Sequence, residues 1–104
     1  MTKKLKPDTW IWVVVQNPGA NEQFLGQHDE KTNTSFIPAF YQKEDAVQCL
    51  FQFTIDKKQK YEVQAIFFGE LAKDAAQNEF MIFMLDENGK ISEKINPKSE
   101  MTAL

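Results

Sequence analysis

The chain is 104 residues long, with 42% hydrophobic and 26% charged residues, which is enough for one core and too little for two. Twelve lysines, no arginine and fifteen acids leave a formal charge of −3, a balance that argues against a basic nucleic-acid binder and a polybasic membrane-surface protein. A single cysteine, Cys49, excludes an intramolecular disulfide framework and a thiolate cluster, and a single histidine, His28, excludes a two-histidine metal site.

Met1 to Pro7 carries three lysines, but the apolar run behind it, Trp10 to Val15, is too short for a secretory core segment and leads directly into polar residues. A membrane-spanning helix needs about 20 apolar residues, and no such run exists. The expected location is therefore the cytoplasm. One domain over residues 1–104 is expected, with an ordered core of about 8–96 between loose polar ends.

Trp10 to Val15 is β-branched and aromatic with no polar residue on either pleat face, the pattern of a strand covered on both sides. Asn17-Pro18-Gly19 then supplies a turn, with proline presetting φ at the first corner and glycine accepting a positive φ at the second. Glu22 to His28 reads as the returning strand and Ser35 to Tyr41 as a third. Pro38 in that third strand lacks a ladder donor, so it requires an edge, a bulge or a position facing no neighbour. The period changes over Lys43 to Phe53, where Ala46, Val47, Leu50 and Phe51 make one helical stripe. Glu44 and Asp45 occupy its first turn, where the helix dipole favours negative charge.

Tyr61 to Phe68 starts as an alternating strand and becomes wholly apolar. A short helix over about Glu70 to Gln77 follows, with Leu71, Ala72, Ala75 and Ala76 on one face and Asn78 as a left-handed C-terminal cap. Phe80 to Leu85 is a second strand apolar on both faces, Asp86-Glu87-Asn88-Gly89 turns the chain, and Lys90 to Ile95 returns. The expected fold is of the α+β class: a two-layer α/β sandwich with a mixed sheet, order β-β-β-α-β-α-β-β. Both helices are placed on one face, on the premise that the sheet advances in one direction through both right-handed crossovers.

That arrangement leaves the other sheet face to be covered. A curled sheet or a folded-back tail is one cover; a second subunit seated on aromatic and methionine anchors is the other. Trp10, Trp12 and Val14 share one face of the first strand and Ile11, Val13 and Val15 the other; one of these sets would be involved, and Trp10, Trp12 and Val14 are the candidate interface.

Residues suited to chemistry are few. His28 stands beside Asp29 and Glu30, but neighbours on a strand point to opposite faces, so it reads as a solvated loop histidine. Cys49 lies in mid-helix among apolar residues, the setting of a packing group rather than a reactive thiolate. The Asp86–Gly89 turn lacks the glutamate spacing of a calcium loop, since Ile95 stands six residues after Gly89. Gly19, Gly26, Gly69 and Gly89 are scattered singly, so no phosphate-cradling loop exists. Lys57-Lys58-Gln59-Lys60 is a basic loop without an arginine fork. No catalytic, metal-binding or cofactor-binding set is assigned, and no cofactor is expected.

Phe36 to Ala46, a strand of the form apolar-x-Pro-x-Phe followed by a helix that opens with acids and alanine, resembles the start of SseB-like domains and of small α/β domains of unknown function. Leu71 to Leu85 is similar to their later helix–strand step. The pattern usually offers serine or threonine as the helix cap where Tyr41 and Gln42 stand, and it does not include the tryptophan strand or its turn. The resemblance implies a compact α/β domain without an assigned catalytic centre, and carries over no functional residue.

The leading expectation is a non-catalytic interaction or regulatory module that self-associates through an apolar sheet face. Its partner would be itself or another protein, not nucleic acid or membrane. The alternative is a small-ligand domain or minor enzyme with a pocket at the strand C-terminal edge, where α/β sheets hold ligands. Tyr41, Gln42, Glu44, Gly69 and Glu70 would then form the rim.

Overall fold

The computed structural model describes residues 5–50, 52–53 and 56–98. Along the chain these form β1 (Trp10–Gln16), β2 (Gln23–Phe24), β3 (Gln27–Asp29), β4 (Thr34–Phe40), α1 (Lys43–Leu50), β5 (Tyr61–Phe67), α2 (Phe68–Gln77), β6 (Met81–Leu85) and β7 (Ile91–Ile95). The class is α+β, a mixed open sheet packed with two helices.

β1 lies inside the sheet, as its two apolar faces require. It pairs antiparallel with β5 over all seven of its positions, from Trp10↔Phe67 to Gln16↔Tyr61. Its other side is shared: Val15 and Gln16 pair with β2, and Trp12 and Val13 with β4. β4 pairs parallel with β6, which pairs antiparallel with β7. The long strands therefore run β5-β1-β4-β6-β7 across the sheet, with β2 and β3 as short pieces beside β1 and β4.

The expected second strand is split in two. At Leu25–Gly26 the chain leaves β1 and joins β4, so residues 23–24 pair with the one and 27–29 with the other. Gly26 passes against the Phe80 ring, which an added Cβ would approach to 3.2 Å. The same switch accommodates Pro38. On this flank β4 pairs with β3 through Phe36 and with β1 from Ala39, and Pro38 falls in the gap where no donor is needed.

The helices lie on opposite faces, which corrects the single-face expectation. Ile11, Val13, Val15, Ile37, Ala39, Ile82 and Met84 pack with Phe68, Leu71, Ala72 and Ala75 of α2. Their sequence neighbours Phe40, Phe83 and Leu85 pack with Ala46 and Cys49 of α1, joined by Trp12, Phe36 and Val63. The reason is topological. The first crossover carries the chain from β4 past β1 to β5, and the second carries it back past β1 and β4 to β6. Two right-handed crossovers in opposite directions place their helices on opposite faces. The cover that the sequence requires for the second face is thus a helix of the chain itself.

Local chemistry sets the ends of the elements. Ala20 N–H donates to the Asn17 carbonyl with Gly19 at φ 84, the turn expected of Asn17-Pro18-Gly19. α2 ends in a Schellman motif, Phe80 N–H to Ala75 O at 2.8 Å and Glu79 N–H to Ala76 O at 3.4 Å. The left-handed residue there is Glu79, at φ 61; Asn78 has φ −103 and instead donates its side chain to Asp74 O at 2.9 Å. In the β6–β7 turn, Asp86 Oδ1 accepts from the N–H groups of Asn88 and Lys90, and Gly89 takes φ 78. α1 buries Ala46 and Cys49 while Val47 stays exposed; Phe51 lies outside the described residues.

Phe83 is fully buried and stacks on Phe36 at 4.3 Å. Phe83→Ala should cost about 3–5 kcal/mol in urea unfolding, and Val47→Ala less than about 0.5 kcal/mol. Equal losses at the two positions would contradict this assignment of the α1-side core.

Candidate functional site

The proposed rim residues do not meet in one pocket. β1 separates the ends of β4 and β5, so the loops that follow them lie apart. Tyr41 turns toward β7 and donates its hydroxyl to Glu93 Oε1 at 2.6 Å. Gln42 and Glu44 are exposed at the start of α1. Gly69 lies against Pro7, to whose carbonyl its N–H donates at 2.9 Å, and Phe68 N–H donates to Thr9 O. The N-terminal segment thereby takes up free donors at the start of α2. Of the five, Glu70 lines a cleft that the other four do not reach.

That cleft, of about 620 Å³, opens on the α2 face. Val15, Ile66 and Phe80 contribute apolar surface, and Glu22, Glu70 and Asp74 contribute carboxylates. No lysine lines it among the described residues. Glu70 and Asp74 of α2 and Asn78, which caps it, recur every fourth residue beside the stripe that packs on the sheet, so a spacing signal for the cleft was present in the sequence. Glu22 reaches it because β2 pairs with the end of β1, a contact between distant parts of the chain. The site suits a cation with an apolar body.

The aromatic face of β1 is mostly enclosed. Val14 is 1% exposed, and Trp12 is half-buried with the Lys43 ammonium 5.8 Å from its ring centroid. Trp10 alone stands out, at 56% exposure, stacked on Phe67 of β5 at 4.0 Å. Of the three candidate interface residues, the one accessible side chain therefore lies at the end of β5.

β5 itself forms one border of the sheet. Among the described residues no strand pairs with its outer side. Its hydrogen-bonding direction follows from the ladder. Asn17 N–H donates to Lys60 O at 2.7 Å and Phe68 N–H to Thr9 O at 2.9 Å, at the two ends of the β1–β5 register. In antiparallel pairs the bonded positions alternate. Glu62, Gln64 and Ile66 thus direct their peptide groups to β1, and Tyr61, Val63, Ala65 and Phe67 direct theirs outward.

Sheet borders are ordinarily guarded by lysine, proline, bulges or short length. β7, the opposite border, has five residues, Lys94, a register shift at Met84/Leu85 and a following Pro97. β5 has seven residues in unbroken register, no lysine or proline, and one charge, Glu62. Its composition was legible in the sequence; its place at a border was not.

The remaining candidates have structural partners. His28 is exposed, its ring nitrogens 3.2 Å from Ser35 Oγ and 3.1 Å from Asn33 Oδ1 within the β3–β4 hairpin. Cys49 is buried and donates its thiol to Asp86 O at 3.1 Å, tying α1 to the β6–β7 turn. Burial, chiefly, and then the nearby acids push that thiol above its ordinary value. Among the described residues no group of three or more His, Cys, Asp or Glu could hold a metal, and no helix is long and apolar enough to cross a membrane.

Comparisons with family models, curated proteins and solved structures gave no match.

Two outcomes follow. Cys49 should react with a disulfide reagent only as fast as the fold opens; immediate modification in the native state would contradict its burial. Burial first, then the Glu93 hydrogen bond and charge, push the Tyr41 phenol well above the ordinary 10.0. Its neutral form is the folded form, so this contribution is complete below pH 10.0 and is lost as pH rises through the raised value. Tyr41→Phe should cost about 1–2 kcal/mol at neutral pH and remove this alkaline dependence, measured by urea titrations at several pH values.

Proposed function

We propose that the chain is a non-catalytic interaction module that engages a protein partner along the outer edge of β5. The observation that supports this reading is the alternating row of outward peptide groups at Tyr61, Val63, Ala65 and Phe67, on a border lacking the usual safeguards. Strand addition uses such a row directly: backbone hydrogen bonds supply affinity and alternate side chains supply selectivity. The exposed Trp10–Phe67 stack at one end adds an aromatic anchor, a residue type favoured in interface cores. This moves the contact from the sheet face to the sheet edge, because each face is occupied by a helix of the chain. A cytoplasmic setting belongs to the same reading.

The test uses an extended peptide of alternating threonine and valine. Binding should shift the amide signals of Val63 and Ala65 and disappear in Ala65→Pro, which removes an outward donor while sparing the bonds to β1. Undisturbed β5 amides at saturating peptide would contradict the proposal.

The cleft supports a second reading, a site for a small amphipathic cation. Alkyl and aryl amines should then raise the melting temperature, and Asp74→Asn should abolish the rise. Equal shifts in the variant would exclude the cleft as their binding site.

A further inference from the structure

We infer that the strand received by β5 is β5 of a second copy, paired antiparallel about a two-fold axis through Gln64. The inference rests on the reading of this edge as the interaction surface and adds the partner and the register.

The bonding parity restricts how two such edges can join. Only Tyr61, Val63, Ala65 and Phe67 have outward peptide groups, so each bonded pair must join two odd-numbered residues. A two-fold axis at Gln64 satisfies this for the whole strand. It sets Tyr61 opposite Phe67, Val63 opposite Ala65, Glu62 opposite Ile66 and Gln64 opposite itself.

The side chains suit that register. Register with β1 puts Tyr61, Val63, Ala65 and Phe67 all on the face of Trp12 and Val14. That face would therefore carry an aromatic pair at each end and small apolar pairs inside, which are favourable cross-strand combinations. Glu62, the one charge of β5, meets an isoleucine and not its own copy, which avoids the like-charge opposition that destabilises pairs. Gln64, whose amide donates to Glu62 Oε1 of its own strand at 3.0 Å, meets itself on the axis, where its second N–H and its carbonyl can pair with those of the copy. The contact is isologous and closed, so it uses up both free edges and stops at two copies. The guarded β7 edges remain outermost.

The experiment combines the oligomeric state of the whole chain with site-specific cross-linking. Sedimentation should show a monomer–dimer equilibrium, and Ala65→Pro should weaken the dimer by about tenfold or more, because symmetry removes the donor from both strands. Ala65→Lys, which introduces an edge lysine without changing the backbone, should act in the same direction and guards against misfolding of the proline variant. Gln64→Cys should oxidise to a disulfide-linked dimer, since non-bonded partners stand about 4.5 Å apart at Cα. Glu62→Cys should not, because its counterpart lies opposite Ile66 of the other strand.

A dimer that survives both Ala65 variants, or equal cross-linking at positions 62 and 64, would overturn the inference. A wild-type chain that stays monomeric at every concentration would also overturn it. In that case, binding of the threonine–valine peptide separates the two failures: if it binds, the edge reading stands and the second copy fails; if it does not, both fail.

Discussion

The structure depends on β1 being apolar on both pleat faces and paired along both sides. Ile11, Val13 and Val15 look to one side and Trp12 and Val14 to the other, and every one of them except Trp12 is fully or almost fully buried. A strand of this kind cannot rest on a one-sided layer, because one face would expose an apolar patch to water. The chain meets this requirement by crossing β1 twice, in opposite directions, leaving one short helix on each face. α1 has eight residues and α2 ten, so neither covers a full face alone. Side chains of the sheet complete the cover: Phe36 stacks on Phe83, and the Lys94 ammonium lies 5.3 Å from the Phe83 ring centroid.

The same constraint determines which strand is left at a border. Because the first crossover carries the chain from β4 over β1, β5 lands on the far side of β1, and the second crossover returns the chain to β6. Nothing later in the described residues revisits that side. β7 ends the other side with a lysine, a shifted register and a proline close behind. The two borders of one sheet thus differ in chemistry, and only β5 has the uninterrupted length and the freedom from lysine and proline that favour another strand.

Much of this was legible in the sequence because the signals are local. Alternating and continuous apolar runs place β1, β5 and β6, while the 3.6-residue spacing of Leu71, Ala72 and Ala75 places α2. Asn17-Pro18-Gly19 and Asp86 to Gly89 mark turns by backbone chemistry, and the apolar neighbours of Cys49 foretell its burial. Non-local features were not legible. The faces of the helices depend on strand order, which depends on pairings between residues dozens of positions apart, such as Trp10 with Phe67. The break at Leu25–Gly26 follows from β1 and β4 parting company, and Gly26 is its one local sign within Glu22 to His28. The left-handed position at Glu79 rather than Asn78 follows from where α2 closes its last turn. For the site, the carboxylates of α2 were visible as a spacing, but the cleft required the sheet beside them.

The most direct measurement is residue-resolved amide hydrogen exchange of the wild-type chain at a dilution where sedimentation shows the monomer. The account predicts slow exchange at Glu62, Gln64 and Ile66, whose N–H groups bond to β1, and fast exchange at Val63 and Ala65, whose N–H groups face outward. Protection of Val63 and Ala65 in the monomer, matching that of their even-numbered neighbours, would show that the chain itself covers this edge and would contradict the account.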